Sequence, residues 1–195
     1  MLQEKRKKID SRKKKITKNN LYSLNIKEFT TFATKDNIIQ LKSLYNNSSS
    51  LADLGFNVCV GNIVWNQCKK DLTSDNNNTL LVYSSDIKNN KLIIQQYSNK
   101  DKKNYINKKG SRQPLLVINR GYGVGKYQFN YCLINETTNI EYLIENHLIC
   151  IKYTKPITPE NLINLYKKII NSFNHQNTKQ FIKLYFGNNA INGDA

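Results

Sequence analysis

The spacing of apolar residues changes from a helical to a strand period near Leu51. Ahead of this point, the apolar positions of the segment "DNIIQLKSLY" are Ile38, Leu41, Leu44 and Tyr45. They recur at helical spacing after Thr34 or Asp36, either of which can act as an N-cap. The polar run "NNSSS" follows at once. The pattern therefore predicts one short amphipathic helix, and "LADLGF" predicts a helical turn that Gly55 closes. A strand-rich region follows.

Beyond Leu51, short β-branched or aromatic runs are bounded by Gly, Asn and Asp, as is typical of strands. The runs are "FNVCV", "NIVW", "TLLVYSSDI", "KLIIQQY", "PLLVINR", "QFNYCLI" and "HLICIKY". An Asn-Asn pair joins two of them in "SDIKNNKLII", which predicts a β-hairpin. No helical segments separate the runs, so we expect mainly antiparallel pairing.

Helical spacing returns near the end of the chain. The segment "ITPENLINLYKKIINSF" has Thr158 as N-cap, Pro159 at the first helical position and Glu160 in the first turn. The segment "NTKQFIKLYF" predicts a second, shorter helix. The whole pattern predicts an α+β fold: a bent or partly closed, mostly antiparallel sheet of about six or seven strands with flanking helices.

Charge separates the N-terminal segment from the rest of the chain. Residues 1–20 contain the run "KRKKIDSRKKKITK" and too few apolar residues to pack, which predicts a disordered basic arm. Residues 21–50 form a short helical lead-in, and residues 51–195 form one folded domain. The formal net charge of +16 attracts polyanions, with nucleic acid as the expected partner and an anionic membrane as the alternative.

Targeting and cysteine signals favour an intracellular protein. No segment approaches the roughly 18 apolar residues of a transmembrane helix, and the start "MLQEKRKKID" lacks an apolar signal core. We therefore expect a protein that is not secreted and not in a membrane. The cysteines at positions 59, 68, 132 and 150 contain no C-x-x-C pair, so we expect reduced thiols and no zinc site.

Few residues are candidates for catalysis. Gly121, Gly123 and Gly125 resemble a nucleotide-binding loop, but the following "KYQFNYCLI" continues as a strand where such loops open a helix. The pattern therefore predicts a flexible hairpin tip. His147 begins an apolar strand, which is typical of a structural residue. The carboxylates at positions 86, 136, 141 and 145 do not form the paired acids with lysine that a magnesium-dependent nuclease needs.

Basic and polar side chains near predicted loops are the candidates for nucleic-acid binding. Trp65, the only tryptophan, can be a core anchor with Asn66 as a helix cap, or it can face a base while neighbouring lysines hold phosphates. Cations suit phosphates or guanine, and amides or phenols suit base edges. The candidate cations are Lys69, Lys70, Arg112, Arg120 and Lys126. The candidate base contacts are Tyr122, Gln113 and Asn66.

Four segments carry a resemblance to a known family: "LGFNVCVGNIVWNQCKKDL", "LLVYSSDIKNNKL", "LLVINRGYGVGKYQF" and "IENHLICI". They resemble the C-terminal target recognition domain of N6-adenine DNA methyltransferases of the TaqI-like, type II restriction-modification class, from about Leu51 to Phe186. The resemblance implies a domain that binds double-stranded DNA and positions the target adenine. Catalysis in that family belongs to a separate domain with an Asn-Pro-Pro-Tyr-type motif, which contacts the flipped base.

This chain departs from complete members of that family. It has no Pro-Pro pair and no strand, glycine loop and helix unit for S-adenosylmethionine, so we expect that cofactor only in a missing or partner domain. The end "FGNNAINGDA" resembles the start of a further helical segment, so the sequence is compatible with a truncated chain, a split-gene specificity piece or a decayed remnant. The hypothesis is a DNA-binding domain that is not catalytic alone. The alternatives are a specificity or interaction subunit for a separate methyltransferase, a small nuclease, and an RNA-binding protein.

Overall fold

The computed structural model describes residues 35–46, 48–120, 129–134 and 140–185. Contacts divide the chain into two units, the first formed by residues 1–49 and 173–187 and the second by residues 50–172 and 188–195. The described helices are α1 (Lys35–Asn46), α2 (Pro159–Asn174) and α3 (Gln176–Tyr185). Helices α1 and α3 pack together in the first unit, and the predicted basic arm lies outside the described residues.

The second unit contains the strands. They are β1 (Phe56–Val60), β2 (Leu72–Thr73), β3 (Thr79–Val82), β4 (Ile87–Lys88), β5 (Lys91–Leu92), β6 (Tyr105–Ile106), β7 (Leu115–Asn119), β8 (Tyr131–Ile134), β9 (Tyr142–Ile144) and β10 (Leu148–Tyr153). Two four-stranded sheets have the orders β1-β10-β7-β8 and β2-β6-β3-β9, and β4-β5 is a separate hairpin. The pairings are antiparallel except between β3 and β9. The predicted α+β class is confirmed, with the strands in three open sheets where the sequence suggested one.

The main core lies on one face of the first sheet. Leu115 and Val117 of β7 join a buried cluster with residues of β3, β8, β9 and β10, while Leu116 and Ile118 are buried on the opposite face. Burial on both faces explains why "LLVI" is continuously apolar instead of alternating. Each fully buried aliphatic side chain of this kind stabilises the fold by about 1.5–3 kcal/mol.

Several local predictions are confirmed by backbone geometry. The β4-β5 hairpin turns through Asn89 and Asn90, whose positive φ angles of 50° and 59° match the type I′ turn that Asn favours. Thr158 caps α2, because its hydroxyl accepts a bond from the Asn161 amide at 3.4 Å. Gly55, at φ 84°, closes the helical turn before β1.

Three predicted strands are much shorter than expected. In "TLLVYSSDI", the strand ends at Val82 and a 3-10 turn follows at Ser84–Asp86. In "NIVW", only Ile63 forms a bridge, with Glu145, and the chain then bends into a 3-10 turn at Trp65–Gln67. In "KLIIQQY", only Lys91–Leu92 forms a strand, although the amide of Ile93 still bonds to the Asp86 carbonyl beyond its end. The described helices include none that combines the length and the apolar character needed to cross a bilayer.

Candidate nucleic-acid interface

The turn at Glu145–His147, between β9 and β10, is fixed by the segment at Gly61–Ile63. The amide of Gly61 bonds to the Leu148 carbonyl at 2.9 Å, and the amide of Asn146 bonds to the Ile63 carbonyl at 2.9 Å. A Cβ atom at position 61 would lie 2.2 Å from the Glu145 carbonyl oxygen. Only glycine fits such a close approach between two backbones, so this residue sets the position of the turn.

Glu145 lies beneath the turn with 1% of its surface exposed. Its carboxylate accepts the His147 amide at 3.0 Å and also contacts His147 Nδ1. Burial raises the pKa of Glu145 to about 7. Partial burial and the nearby cations Arg120 and Lys102 lower the pKa of His147. Near neutral pH, one proton shared between the Glu145 carboxylate and the His147 imidazole is therefore enough to keep these two side chains in contact.

A second buried carboxylate, Asp86, organises two aromatic rings. It accepts the Tyr83 amide at 2.9 Å, the Gln95 amide at 2.9 Å and the Tyr97 hydroxyl at 2.8 Å. The Tyr83 and Tyr97 rings meet edge to face with their centroids 5.1 Å apart. Burial raises the pKa of Asp86, and these hydrogen bonds oppose that change. The carboxylate thus has a clear structural role in holding the two tyrosines.

Lys102 connects the two acidic groups to the aromatic pair. Its Nζ atom lies 4.0 Å from the centroid of the Tyr83 ring and 3.9 Å from that of Tyr97. Partial burial lowers the pKa of Lys102, while the charges of Asp86 and Glu145 raise it. The ammonium is therefore held in one place by two cation–π contacts and by two carboxylates.

Arg120 brings a third basic group to the same place. It follows β7, and its backbone amide bonds to the His147 carbonyl at 3.3 Å. Lys102, Arg120 and His147 are close enough for both cations to affect the pKa of the imidazole. We call these three residues the cationic cluster. Arg120 also immediately precedes residues 121–128, which the structure does not describe.

The turn at Trp65–Asp71 adjoins the cationic cluster. Lys69 Nζ lies 2.7 Å from Asp101 Oδ2, and Asp101 directly precedes Lys102. Lys69 Nζ also lies 6.0 Å from the Trp65 ring centroid. The indole is half-buried and packs against the apolar cluster that contains Tyr83. We call this turn and the cationic cluster together the recognition surface.

The recognition surface includes Asn66 and Lys70, both exposed in the turn. The prediction that Asn66 caps a helical turn is wrong, because Val64 occupies the N-cap position and no side chain caps the turn. For Trp65, the structure gives an intermediate result: the ring is neither a fully buried anchor nor a fully exposed platform. One indole face can therefore pack while another part remains accessible.

Two predicted site residues lie at the other end of β7. Arg112 pairs with Glu141 at 3.7 Å, and Gln113 is exposed just before the strand begins. Arg120 follows the opposite end of the same strand. Five residues of a strand extend about 17 Å, so the structure separates this pair from the cationic cluster. Tyr122 and Lys126, the two remaining candidates, lie outside the described residues.

An open cavity of about 380 Å³ lies at the Gln113 end and shares no lining residue with the recognition surface. Its wall includes Ser111, Gln113, Tyr142, Cys150 and Lys152. The recognition surface is the candidate nucleic-acid interface, because cations and aromatic rings converge there, whereas Lys152 is the one cation among the described residues that line the cavity.

Sequence reasoning missed most of the cationic cluster. Lys102 lies in the run "NKDKKN", where nothing distinguishes one lysine from its neighbours. Asp86 and Glu145 both act electrostatically on this lysine, an acid-lysine grouping that the spacing did not suggest. No group of three metal-ligating side chains occurs among the described residues, and the hydrogen bonds of both acids go to protein groups. The one signal available was the polar triplet "ENH" between two apolar strands.

Comparisons with known proteins do not assign the chain to a family. No family model, no curated protein and no solved structure matches it.

Proposed function

We propose that this chain is a DNA-binding target recognition domain of an N6-adenine DNA methyltransferase or restriction-modification system. The observation that carries the proposal is the convergence of Lys102, Arg120 and His147 beside the turn that holds Trp65 and Lys69. Cations that meet beside aromatic rings suit phosphate and base contacts together. The resemblance of four segments to target recognition domains supplies the methyltransferase context.

In this proposal, DNA binding has two physical components. The excess of basic residues, with a net charge of +16, gathers duplex phosphates by releasing counterions. Side chains at the recognition surface then test base edges, because the buried acids beneath the cationic cluster hold it in a fixed geometry. A separate catalytic module binds S-adenosylmethionine and transfers the methyl group, and this chain determines where that module acts.

Selection of binding sites from a random duplex pool tests the proposal directly. We expect enrichment of a short word that contains adenine, and affinity that falls steeply as salt rises. No enrichment at near-cellular salt, even with a catalytic methyltransferase subunit added, would refute base reading. Preference for structured RNA in competition would instead identify an RNA-binding protein, and magnesium-dependent nicking of a plasmid by the purified chain would identify a nuclease.

A matched pair of arginine variants tests the location of the interface. Arg120→Gln should weaken duplex binding and reduce the slope of log K against log salt by about 1, since one phosphate contact is lost. Arg112→Gln, at the other end of β7, should leave binding nearly unchanged. The reverse result would move the interface to the Arg112 end. Equal and small effects would exclude both arginines from the interface.

A further inference from the structure

Two cysteines face each other across the first sheet. Cys59 of β1 is the direct partner of Cys150 in the antiparallel register with β10. The bonds from the Gly61 amide to the Leu148 carbonyl and from the Thr154 amide to the Gly55 carbonyl place Cys59 and Cys150 at a hydrogen-bonded position of the ladder. The Cα atoms of such a pair lie about 5.5 Å apart, and the two side chains are on the same face. This separation lies inside the range of about 4.4–6.8 Å that a disulfide requires. The Cys59 thiol is also close enough to Cys150 to raise the pKa of the Cys150 thiol.

The two thiols differ in their access to solvent. Cys59 is half-buried on β1, which lies at the edge of its sheet, so a small molecule can reach it. Cys150 is 1% exposed and lines the open cavity together with Lys152. Burial and the adjacent Cys59 raise the pKa of Cys150 to about 12, although Lys152 opposes this rise. Cys59 is therefore the thiol that an oxidant meets first.

The other two described cysteines lie elsewhere in the second unit. Cys132 is buried on β8, which is separated from β1 by two strands of the same sheet. Cys68 lies in the turn before β2, where its sulfur is 3.4 Å from Lys108 Nζ. Neither has a strand register that opposes another cysteine. They serve as internal controls for the pair at positions 59 and 150.

We propose that Cys59 and Cys150 form a reversible redox pair that small hydroperoxides oxidise to a disulfide. The Cys59 thiolate attacks a peroxide oxygen, the O–O bond breaks, and the leaving hydroxide is protonated to water. The sulfur of Cys150 then attacks the resulting Cys59 sulfenic acid and displaces hydroxide, which leaves as a second water with the Cys150 proton. The two thiols lose two electrons, and one hydrogen peroxide gains them. A dithiol reductant reverses the reaction by thiol–disulfide exchange.

Formation of this bond has a structural consequence that does not depend on DNA binding. It covalently ties β1 to β10, its neighbour among the described strands of the first sheet. Because the link closes a long loop of the chain, the oxidised form should melt at a temperature higher by about 5–15 °C. Oxidation would thus prevent the edge strand β1 from separating from β10.

Peptide mapping of the full chain tests the proposal. The reduced, desalted protein is treated with hydrogen peroxide, and we expect a mass loss of about 2 Da with a peptide link between Cys59 and Cys150. Cys59→Ser should abolish the link and the rise in Tm, and Cys68→Ser should change neither. A link between other cysteines, or oxygen addition at Cys59 without a link, would overturn the proposal. Cys150→Ser should also abolish the link. If that variant does not fold, mapping of the unmutated chain still shows whether Cys59 and Cys150 become linked.

Discussion

Replacing Lys102 with methionine should destabilise the protein by an amount that depends on pH. Methionine retains an apolar stem but loses the ammonium that contacts the Tyr83 and Tyr97 rings at 4.0 and 3.9 Å. Two partly exposed cation–π contacts contribute about 1–2 kcal/mol together. The charge of Glu145 adds up to about 1 kcal/mol more, because the lysine is only partly buried and water screens it.

The second contribution is present only when Glu145 is ionised. Since burial raises the pKa of this acid to about 7, its proton is bound in mildly acidic solution and released in mildly basic solution. Protonation of His147 in acid adds a positive charge near Lys102, which further lowers the benefit of the ammonium. Burial of the ammonium, which lowers the pKa of Lys102, offsets part of these contributions at both pH values. We therefore expect Lys102→Met to cost about 0.5–1 kcal/mol near pH 5.5 and about 1–2 kcal/mol near pH 8.5.

Urea unfolding at the two pH values measures this difference. The fluorescence of Trp65, the only tryptophan, reports on the apolar cluster that contains Tyr83. Lys100→Met is the matched control, because that lysine is exposed, and it should change stability by less than about 0.5 kcal/mol. Equal losses at both pH values would show that Glu145 is not an electrostatic partner of Lys102. A loss no larger than that of the control would refute the cation–π contribution as well.

Three further variants change residues that contact the recognition surface or the turn at Glu145–His147. Gly61→Ala places a Cβ atom 2.2 Å from the Glu145 carbonyl oxygen and should cost about 3 kcal/mol, measured by urea unfolding; a loss below about 1 kcal/mol would contradict the close approach. Asp101→Asn releases Lys69 from its 2.7 Å ion pair and should tighten duplex binding about 2- to 10-fold at low salt, whereas unchanged affinity would place Lys69 outside the interface. Glu145→Gln should reduce the pH dependence of stability. Because the folded pKa of Glu145 lies above its ordinary value of 4.5, its stabilising contribution is complete below pH 4.5 and is lost as pH rises to about 7. If the Tm of the variant changes with pH across this window as steeply as that of the unmutated protein, another group is responsible for the titration.

Features that depend on neighbouring residues were predictable from the sequence. The cap at Thr158, the Asn89-Asn90 hairpin and the turn closed by Gly55 each depend on side chains or φ angles within a few residues. The α+β class followed from the same local patterns. The division of the strands into three sheets did not, because β1 pairs with β10 across most of the domain and no local signal encodes that partner.

The candidate site was less predictable, for the same physical reason. Asn66, Lys69, Lys70 and Arg120 were named from local composition, and the structure brings them to one surface. Lys102 was missed, because its significance comes from rings and carboxylates that lie 5 to 43 residues away along the chain. A buried acid is likewise invisible in a sequence until the residues that cover it are known.

The position of β7 restricts how any duplex can contact the predicted residues. Arg112 and Gln113 precede this strand and Arg120 follows it, so the two sets are separated by at least its length of about 17 Å. A major groove is about 12 Å wide, so both sets cannot reach the edges of the same base pair. In the proposed function, base reading would then come mainly from one end, with the other end reaching backbone or no DNA at all. At the Arg120 end, Lys102 lies over the Tyr83 and Tyr97 rings and the Trp65 indole is half-buried, whereas Arg112 is exposed and paired with Glu141. The fixed position of Lys102 favours the recognition surface as the end that would distinguish bases in the proposed function.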